Sequence, residues 1–375
     1  MHMSGLYSPP NFTYKDTVGK NCFENCIFYE VDFEAERLNF YNCEFKKYDT
    51  STRHVSYFGV TEQVYFSHVQ SDVSFSFLYT SSLLVFDSRL HYIKTVESAK
   101  DTIDEIKIMR SSFIHGIFLS SDINKLTIEE CQILKSEHST FSIFSNIINT
   151  ITMVELDLSL LETYQINIDN PTVTNIEIYR SKLPSFFDLN KKTMICLIQS
   201  SDIDYFDILK RINNPTLFLT IINCTTMQSQ DKYMFKSTCK ELNIADMQID
   251  GNLLIDVNIF HCRKCEIKSL QFFEGIDEIF ISDTTIDDYF YLSYSELKNC
   301  FLNTCTIGNI NLKFTSINKL AIYQSNFKEL DFDCSFIDEA RFVGVKGVGD
   351  EGEVVDLTDK HFASKESLEY FKSIV

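Results

Sequence analysis

Apolar residues return every five positions over the last part of the chain. Stepping from Cys300 by fives reaches Cys305, Ile310, Thr315, Leu320, Ser325, Leu330, Ser335, Ala340 and Val345, each small or apolar. Stepping from Leu302 reaches Ile307, Leu312, Ile317, Ile322, Phe327, Phe332, Ile337 and Phe342, an unbroken apolar series. Between them stand Asn303, Lys313, Asn318, Lys328, Asp331, Asp333, Asp338 and Arg341. A helix of 3.6 residues per turn drifts out of a five-residue register, and a strand alternates every two. A chain that turns a corner every five residues keeps it, burying one large and one smaller side chain per side.

The same phrase recurs upstream with looser spacing: two apolar residues two apart, a small residue, then another apolar one. Ile106, Ile108, Ser111, Phe113 is one instance; Leu126, Ile128, Cys131, Ile133 and Ile279, Ile281, Thr284, Ile286 are others. Successive coils then begin at 106, 126, 151, 176, 196, 219, 242, 260, 279, 300, 320 and 340. The step settles at 20 near the end, which is four fives and one turn of a four-sided coil. Cys26, Phe28, Val31, Phe33 and Leu38, Phe40, Cys43, Phe45 carry the pattern near the N-terminus, and 46–100 is its least regular stretch.

Ser325-Asn326-Phe327-Lys328-Glu329 and Leu330-Asp331-Phe332-Asp333-Cys334 resemble the pentapeptide-repeat family, whose unit is a small residue, Asp or Asn, Leu or Phe, and two free positions. The resemblance is tight over 300–345, moderate over 21–45 and degenerate between. It implies an all-β fold, a right-handed parallel β-helix with coils of about 20 residues. The rival is a leucine-rich repeat, whose phrase Ile123-Asn124-Lys125-Leu126-Thr127-Ile128-Glu129-Glu130-Cys131-Gln132-Ile133 fits. Strand-like alternation in Phe141-Ser142-Ile143 and Gln165-Ile166-Asn167-Ile168 speaks against that rival's helix.

Three segments follow: an N-terminal extension over 1–20, the β-helix solenoid over 21–345, and a linker with a capping helix over 346–375. A stack of coils needs its ends covered, since a bare strand edge pairs with other chains. Ser364 is a helix N-cap ahead of an apolar stripe at Leu368, Phe371 and Val375, which caps the last coil or docks on a second copy to make a homodimer. Gly5 to Val18, with Pro9-Pro10, is expected to be extended and to cover the other end. The Gly-rich run Gly344 to Gly349 breaks the pattern, and Val345 to Glu353 reads as a hinge to the cap rather than a phosphate cradle.

Composition narrows the function. Lys plus Arg number 34 against 53 Asp plus Glu, a formal charge of −19, which disfavours direct nucleic-acid binding. No stretch approaches the ~20 apolar residues of a membrane helix. No signal-peptide pattern opens the chain and the 12 cysteines are scattered, so the expectation is a cytoplasmic protein with reduced thiols and no membrane partner. Eleven Gly and 5 Pro are too few for an enzyme rich in tight turns, and 33 Phe must be stacked somewhere.

Candidate chemistry is thin. His261-Cys262-Arg263-Lys264-Cys265 resembles half a zinc site, but no second CxxC completes it, and both thiols fall on inward repeat positions matching Ile281 and Thr284. Cys26, Cys43, Cys131, Cys224, Cys300 and Cys305 take comparable places, so core filling is expected and neither metal nor cofactor. Carboxylates cluster at Asp202, Asp204, Asp207; at Asp283, Asp287, Asp288; and at Asp331, Asp333, Asp338, and a pair ~5–9 Å apart would suit glycoside hydrolysis. No nucleophile motif is present.

The expectation is therefore a non-catalytic protein-binding scaffold on an acidic β-helix, its partner unnamed, with Tyr179, Tyr289, Tyr291 and Tyr323 as exposed contact residues. The family resemblance supplies one alternative. Some members are rods whose negative surface imitates duplex DNA and occupies type II topoisomerases. A carbohydrate-active β-helix enzyme is the third.

Overall fold

A computed structural model describes residues 2–6, 13–47, 55–96, 102–134, 139–145, 147–161, 166–168, 172–183, 193–203, 213–224, 234–272, 275–292, 294–349 and 352–375. It is a β-solenoid of stacked parallel strands with one C-terminal α-helix, Lys365–Ile374. Among the described residues nothing between Thr13 and Val355 is helical, which removes the leucine-rich alternative. The chain divides into two compact units, residues 1–193 with 201–203, and residues 194–200 with 204–375.

In the first unit the ladder passes from Leu38 to Val64, Leu83, Ile106, Leu126, Ile151 and Ile176, each backbone-paired with the next. In the second it passes from Cys196 to Leu219, Leu242, Phe260, Ile279, Cys300, Leu320 and Ala340. From Ile106 onward these are the coil starts read from the hydrophobic pattern; Val64 and Leu83 are supplied by the structure. From 302 through Phe332 every member of the large apolar series is buried. Burial loosens only in the last coil, where Phe342 is half-buried and Ile337 remains inside.

The irregular stretch acquires its register through phenylalanine. Phe23 stacks on Phe40 at 5.1 Å and Phe40 on Phe66 at 5.2 Å. Phe33, Phe58 and Phe77 form a second column at 5.1 and 5.0 Å, and Phe28 stacks on Phe45 at 4.9 Å, where Phe75 meets Phe45 edge-on at 4.8 Å. These spacings match the ~4.8 Å rise between hydrogen-bonded strands, so each ring rests on the ring of its neighbouring coil. Each adds about 1.5–3 kcal/mol of burial.

The tight corners of the coils do not draw on the few glycines. One corner of each coil is turned by a single left-handed residue, and most are not glycine: Asn42, His68, Asp87, Arg110, Glu130, Glu155 and Arg180 in the first unit, with φ between 46° and 56°. Asn223, Asp246, Lys264, Asp283, Thr304 and Gln324 do the same in the second. The corner N–H donates across to the next coil, Glu130 to the Val154 carbonyl at 2.8 Å and Gln324 to Val343 at 2.8 Å. That bond offsets the ~1–2 kcal/mol of left-handed strain.

The residue after the corner points inward and is small for a reason of hydrogen bonding. Ser88 donates its hydroxyl hydrogen to the Phe86 carbonyl at 2.7 Å and accepts the buried Val69 N–H at 3.1 Å. Ser325 repeats this in the second unit with Tyr323 and the Cys305 N–H, at 2.7 and 3.0 Å.

The C-terminal helix closes the last coil of the second unit. Its N-cap is Ser364, whose hydroxyl accepts the Ser367 N–H at 3.0 Å. Phe371 meets Phe342 at 4.9 Å and Phe332 at 6.2 Å, and the Tyr370 hydroxyl accepts the Ile337 N–H at 2.8 Å. The docked face is therefore Ser367, Tyr370 and Phe371; Val375, expected on the stripe, is 72% exposed. The Gly-rich run forms one arm of a hairpin, Lys346–Val348 pairing antiparallel with Val354–Val355. Gly347 is required because a Cβ there would lie 2.1 Å from the ring of His361. At the other end, His2–Ser4 pairs with Cys22 to Glu24, while Pro9-Pro10 lies outside the described residues.

Candidate functional site

Cys262 and Cys265 are both buried, Cys262 on the ladder beside Ile281 and Cys265 in the corner column, where its N–H reaches Thr284 Oγ1 at 3.3 Å. The neighbouring Cys265 thiol, together with burial, pushes Cys262 well above the ordinary thiol range. Among the described residues no group of three or more His, Cys, Asp or Glu is placed to hold a metal. Cys26, Cys43, Cys131, Cys224 and Cys305 occupy the small corner column, each thiol donating to the carbonyl two residues back at 3.1–3.3 Å. Burial raises Cys43 and Cys131 to about 12 and Cys305 to about 11. Cys300 sits instead on the ladder between Ile279 and Leu320, also pushed to about 12 by burial.

The carboxylates go to different tasks. Asp204 and Asp207 lie outside the described residues, as does the side chain of Asp202. Asp283 turns a corner at φ 51°, and Asp287 is exposed on the following strand. Asp333 accepts hydroxyl hydrogens from Ser367 at 2.7 Å and from Ser364 at 2.5 Å, and Asp331 lies 3.2 Å from the same Ser367 hydroxyl, whose single hydrogen the shorter contact takes. Those two serines hold the Asp333 carboxyl below its usual range. Asp331 and Asp333 thus anchor the N-terminus of the capping helix, where backbone N–H groups favour negative charge. Asp338 stands apart on the exposed side of the last coil.

Aromatic residues make the most distinctive surface. Of the four expected contact tyrosines, Tyr289 is 55% exposed, while Tyr179, Tyr291 and Tyr323 are half-buried. Tyr323 is covered by Phe301 at 5.4 Å and by the Arg341 guanidinium at 5.6 Å. The larger exposure is at a second corner of the second unit. Tyr294, Phe314 and Cys334 turn that corner in three successive coils at φ 61°, 56° and 56°. Tyr294 and Phe314 stack at 5.1 Å with their planes 10° apart. Tyr294 and Phe336 are each 62% exposed, Phe314 43%.

Here the left-handed strain falls on bulky aromatic residues, for which positive φ is a genuine outlier, instead of on the Asn, Asp and Lys of the other corner. Ordinary solubility would place polar residues at so exposed a turn. Glu296 and Asp338, each two residues from one of these rings in sequence, are exposed, and Asp331 and Asp333, just before the Cys334 corner, are half-buried. Lys313 is 3.5 Å from Asp333 and 5.8 Å from the centre of the Phe314 ring, and Asp331 raises its pKa. Sequence reading missed this corner, although 294, 314 and 334 share the 20-residue step. The inward series drew attention away from the columns between.

No family model, no curated protein and no solved structure matches this chain.

Proposed function

We propose that this protein is a non-catalytic scaffold that binds a protein partner at the aromatic corner of Tyr294, Phe314 and Phe336. The observation that carries this reading is the exposure of three large rings on successive coils, two of them held at strained positive φ. Exposed aromatics on a rigid frame are the usual anchors of interfaces, because they bury much area with few rotamers to freeze. The alternation of large and small inward residues at five-residue steps supports placing its coils with the pentapeptide-repeat class.

Imitation of DNA needs an unbroken anionic track. Cations paired with carboxylates weigh against one: Arg110 on Asp87, Arg180 on Glu155 and Lys182 on Asp157 in the first unit, and Lys298 on Asp277 and Lys313 on Asp333 in the second. A glycosidase reading loses support where Asp331 and Asp333 are engaged by serines of the capping helix.

A photo-crosslinking residue introduced at the exposed Asn318 should capture one recurrent protein from extracts of the source organism. Capture should fall severalfold in Phe314→Ser and Phe336→Ser. Capture indifferent to both substitutions refutes the assignment of the surface. Salt-sensitive inhibition in a DNA-gyrase supercoiling assay titrated with the protein would instead revive DNA imitation.

A further inference from the structure

We infer that one outer sheet face of the second unit, separate from the aromatic corner, binds an elongated, flat aromatic molecule carrying an acidic group at each end. Strands Gln248–Arg263, Glu278–Ser282, Glu296–Asn303, Ser316–Tyr323 and Phe336–Val343 pair side by side. Their register sets His261, Phe280, Phe301, Ala321 and Arg341 in one outward column, and Arg263, Ser282, Asn303, Tyr323 and Val343 in the column beside it. These residues, and Glu241 to Ala245 on the strand before them, all lie within the described residues. His261 stacks on Phe280 at 4.9 Å with the planes 8° apart, and Phe301 meets Tyr323 at 5.4 Å. Rings stacked along a column turn their edges outward, and a ring edge is the positive rim that attracts the π-face of a flat ligand. Ser282 and Asn303 are short and half-buried, so a shallow groove runs beside Phe280 and Phe301.

The ends of this groove carry the charge. Arg263 opens it one coil before Ser282, and Tyr323 closes it one coil after Asn303, with the Arg341 guanidinium over its ring at 5.6 Å. Both arginines are exposed, and neither has an ion pair among the described residues. The neighbouring charged groups are already engaged: Lys298 with Asp277 at 3.1 Å and Lys319 with Glu339 at 3.8 Å. Glu278 accepts from the Asn299 amide at 3.0 Å, and Glu241 from the Asn243 amide at 2.9 Å. In a chain of formal charge −19, two unpaired guanidiniums stand four strand spacings apart, roughly 19 Å. They set both the charge and the length of the ligand, because each guanidinium fork takes a carboxylate or sulfonate through two hydrogen bonds at once.

The test titrates the full chain at physiological salt with two dyes, followed by absorbance and induced circular dichroism. Congo red is an aromatic rod with a sulfonate toward each end, and thioflavin T is a flat aromatic rod with a positive charge. Congo red should saturate a single site per chain and bind about tenfold tighter than thioflavin T. Arg263→Gln and Arg341→Gln should each weaken Congo red about three- to tenfold, with the unfolding midpoint unchanged, and Phe301→Ser should weaken it similarly. Phe314→Ser, on the aromatic corner, should leave the affinity as it is. Absence of saturable Congo red binding, equal binding of thioflavin T, or an affinity indifferent to both arginines overturns the inference. Loss of Congo red affinity in Phe314→Ser places the dye on the corner and overturns it as well.

Discussion

The hydroxyl oxygen of Ser367 accepts the backbone N–H of Phe332 at 2.9 Å, while its hydrogen goes to Asp333 at 2.7 Å. One fully buried side chain of the capping helix thereby satisfies the last buried aromatic strand and the carboxylate beside it.

Ser367→Ala leaves the Phe332 N–H without its acceptor in a buried setting and should cost about 1–3 kcal/mol. Ser373→Ala, on the exposed side of the same helix, should be nearly neutral. Hydrogen exchange at the Phe332 amide, followed by mass spectrometry, should accelerate in the first variant alone.

Docking of the helix should weaken in acid. Asp333 has its folded-state pKa depressed by Ser364 and Ser367, and then by Lys313, so its contribution is present above its unfolded value near 3.8 and is lost as pH falls through the lower folded value. Helix protection measured by hydrogen exchange should drop between about pH 4 and the lower folded value. Asp333→Asn should lack that acid step and show weaker protection at neutral pH.

The buried register predicts unequal costs along one strand and its continuation. Phe327→Ala and Phe332→Ala empty fully buried sites and should each cost about 3–5 kcal/mol, while Lys328→Ala, exposed between them, should cost almost nothing. Similar urea midpoints for the three would refute the inward assignment. This register was legible in the sequence because it is local and repeated: each fifth residue meets the same environment, so the pattern reveals itself many times over.

Two buried cysteines should answer differently to serine. Cys131 donates to the Glu129 carbonyl at 3.1 Å in a column where Ser88, Ser111 and Ser181 make the same bond, so Cys131→Ser should be close to neutral. Cys300 lies between Ile279 and Leu320 in the apolar column, where a hydroxyl has no comparable acceptor, and Cys300→Ser should cost about 1–3 kcal/mol. Thermal unfolding of the two variants distinguishes them directly.

The sequence alone determined the solenoid, the coil starts from Ile106 to Ala340, the inward places of Cys262 and Cys265, and a helix with Ser364 as its cap. All of these follow from spacing and from residue types next to one another in the chain. Tertiary structure decided the rest, because the rest depends on neighbours roughly one or two coils away in sequence. The docked face of the helix is set by where Phe332, Phe342 and Asp333 stand, which keeps Phe371 from the expected stripe, adds the buried Ser367 and the half-buried Tyr370, and leaves Val375 outside. The exposure of a tyrosine depends on what the adjoining coil supplies: Arg341 and Phe301 cover Tyr323, while Tyr294 stacks on Phe314 and stays 62% exposed. Corner conformation was hidden as well, since a hydrogen bond donated by the corner N–H to a carbonyl of the next coil lets Glu, Arg and Lys hold a backbone shape that local preference assigns to glycine.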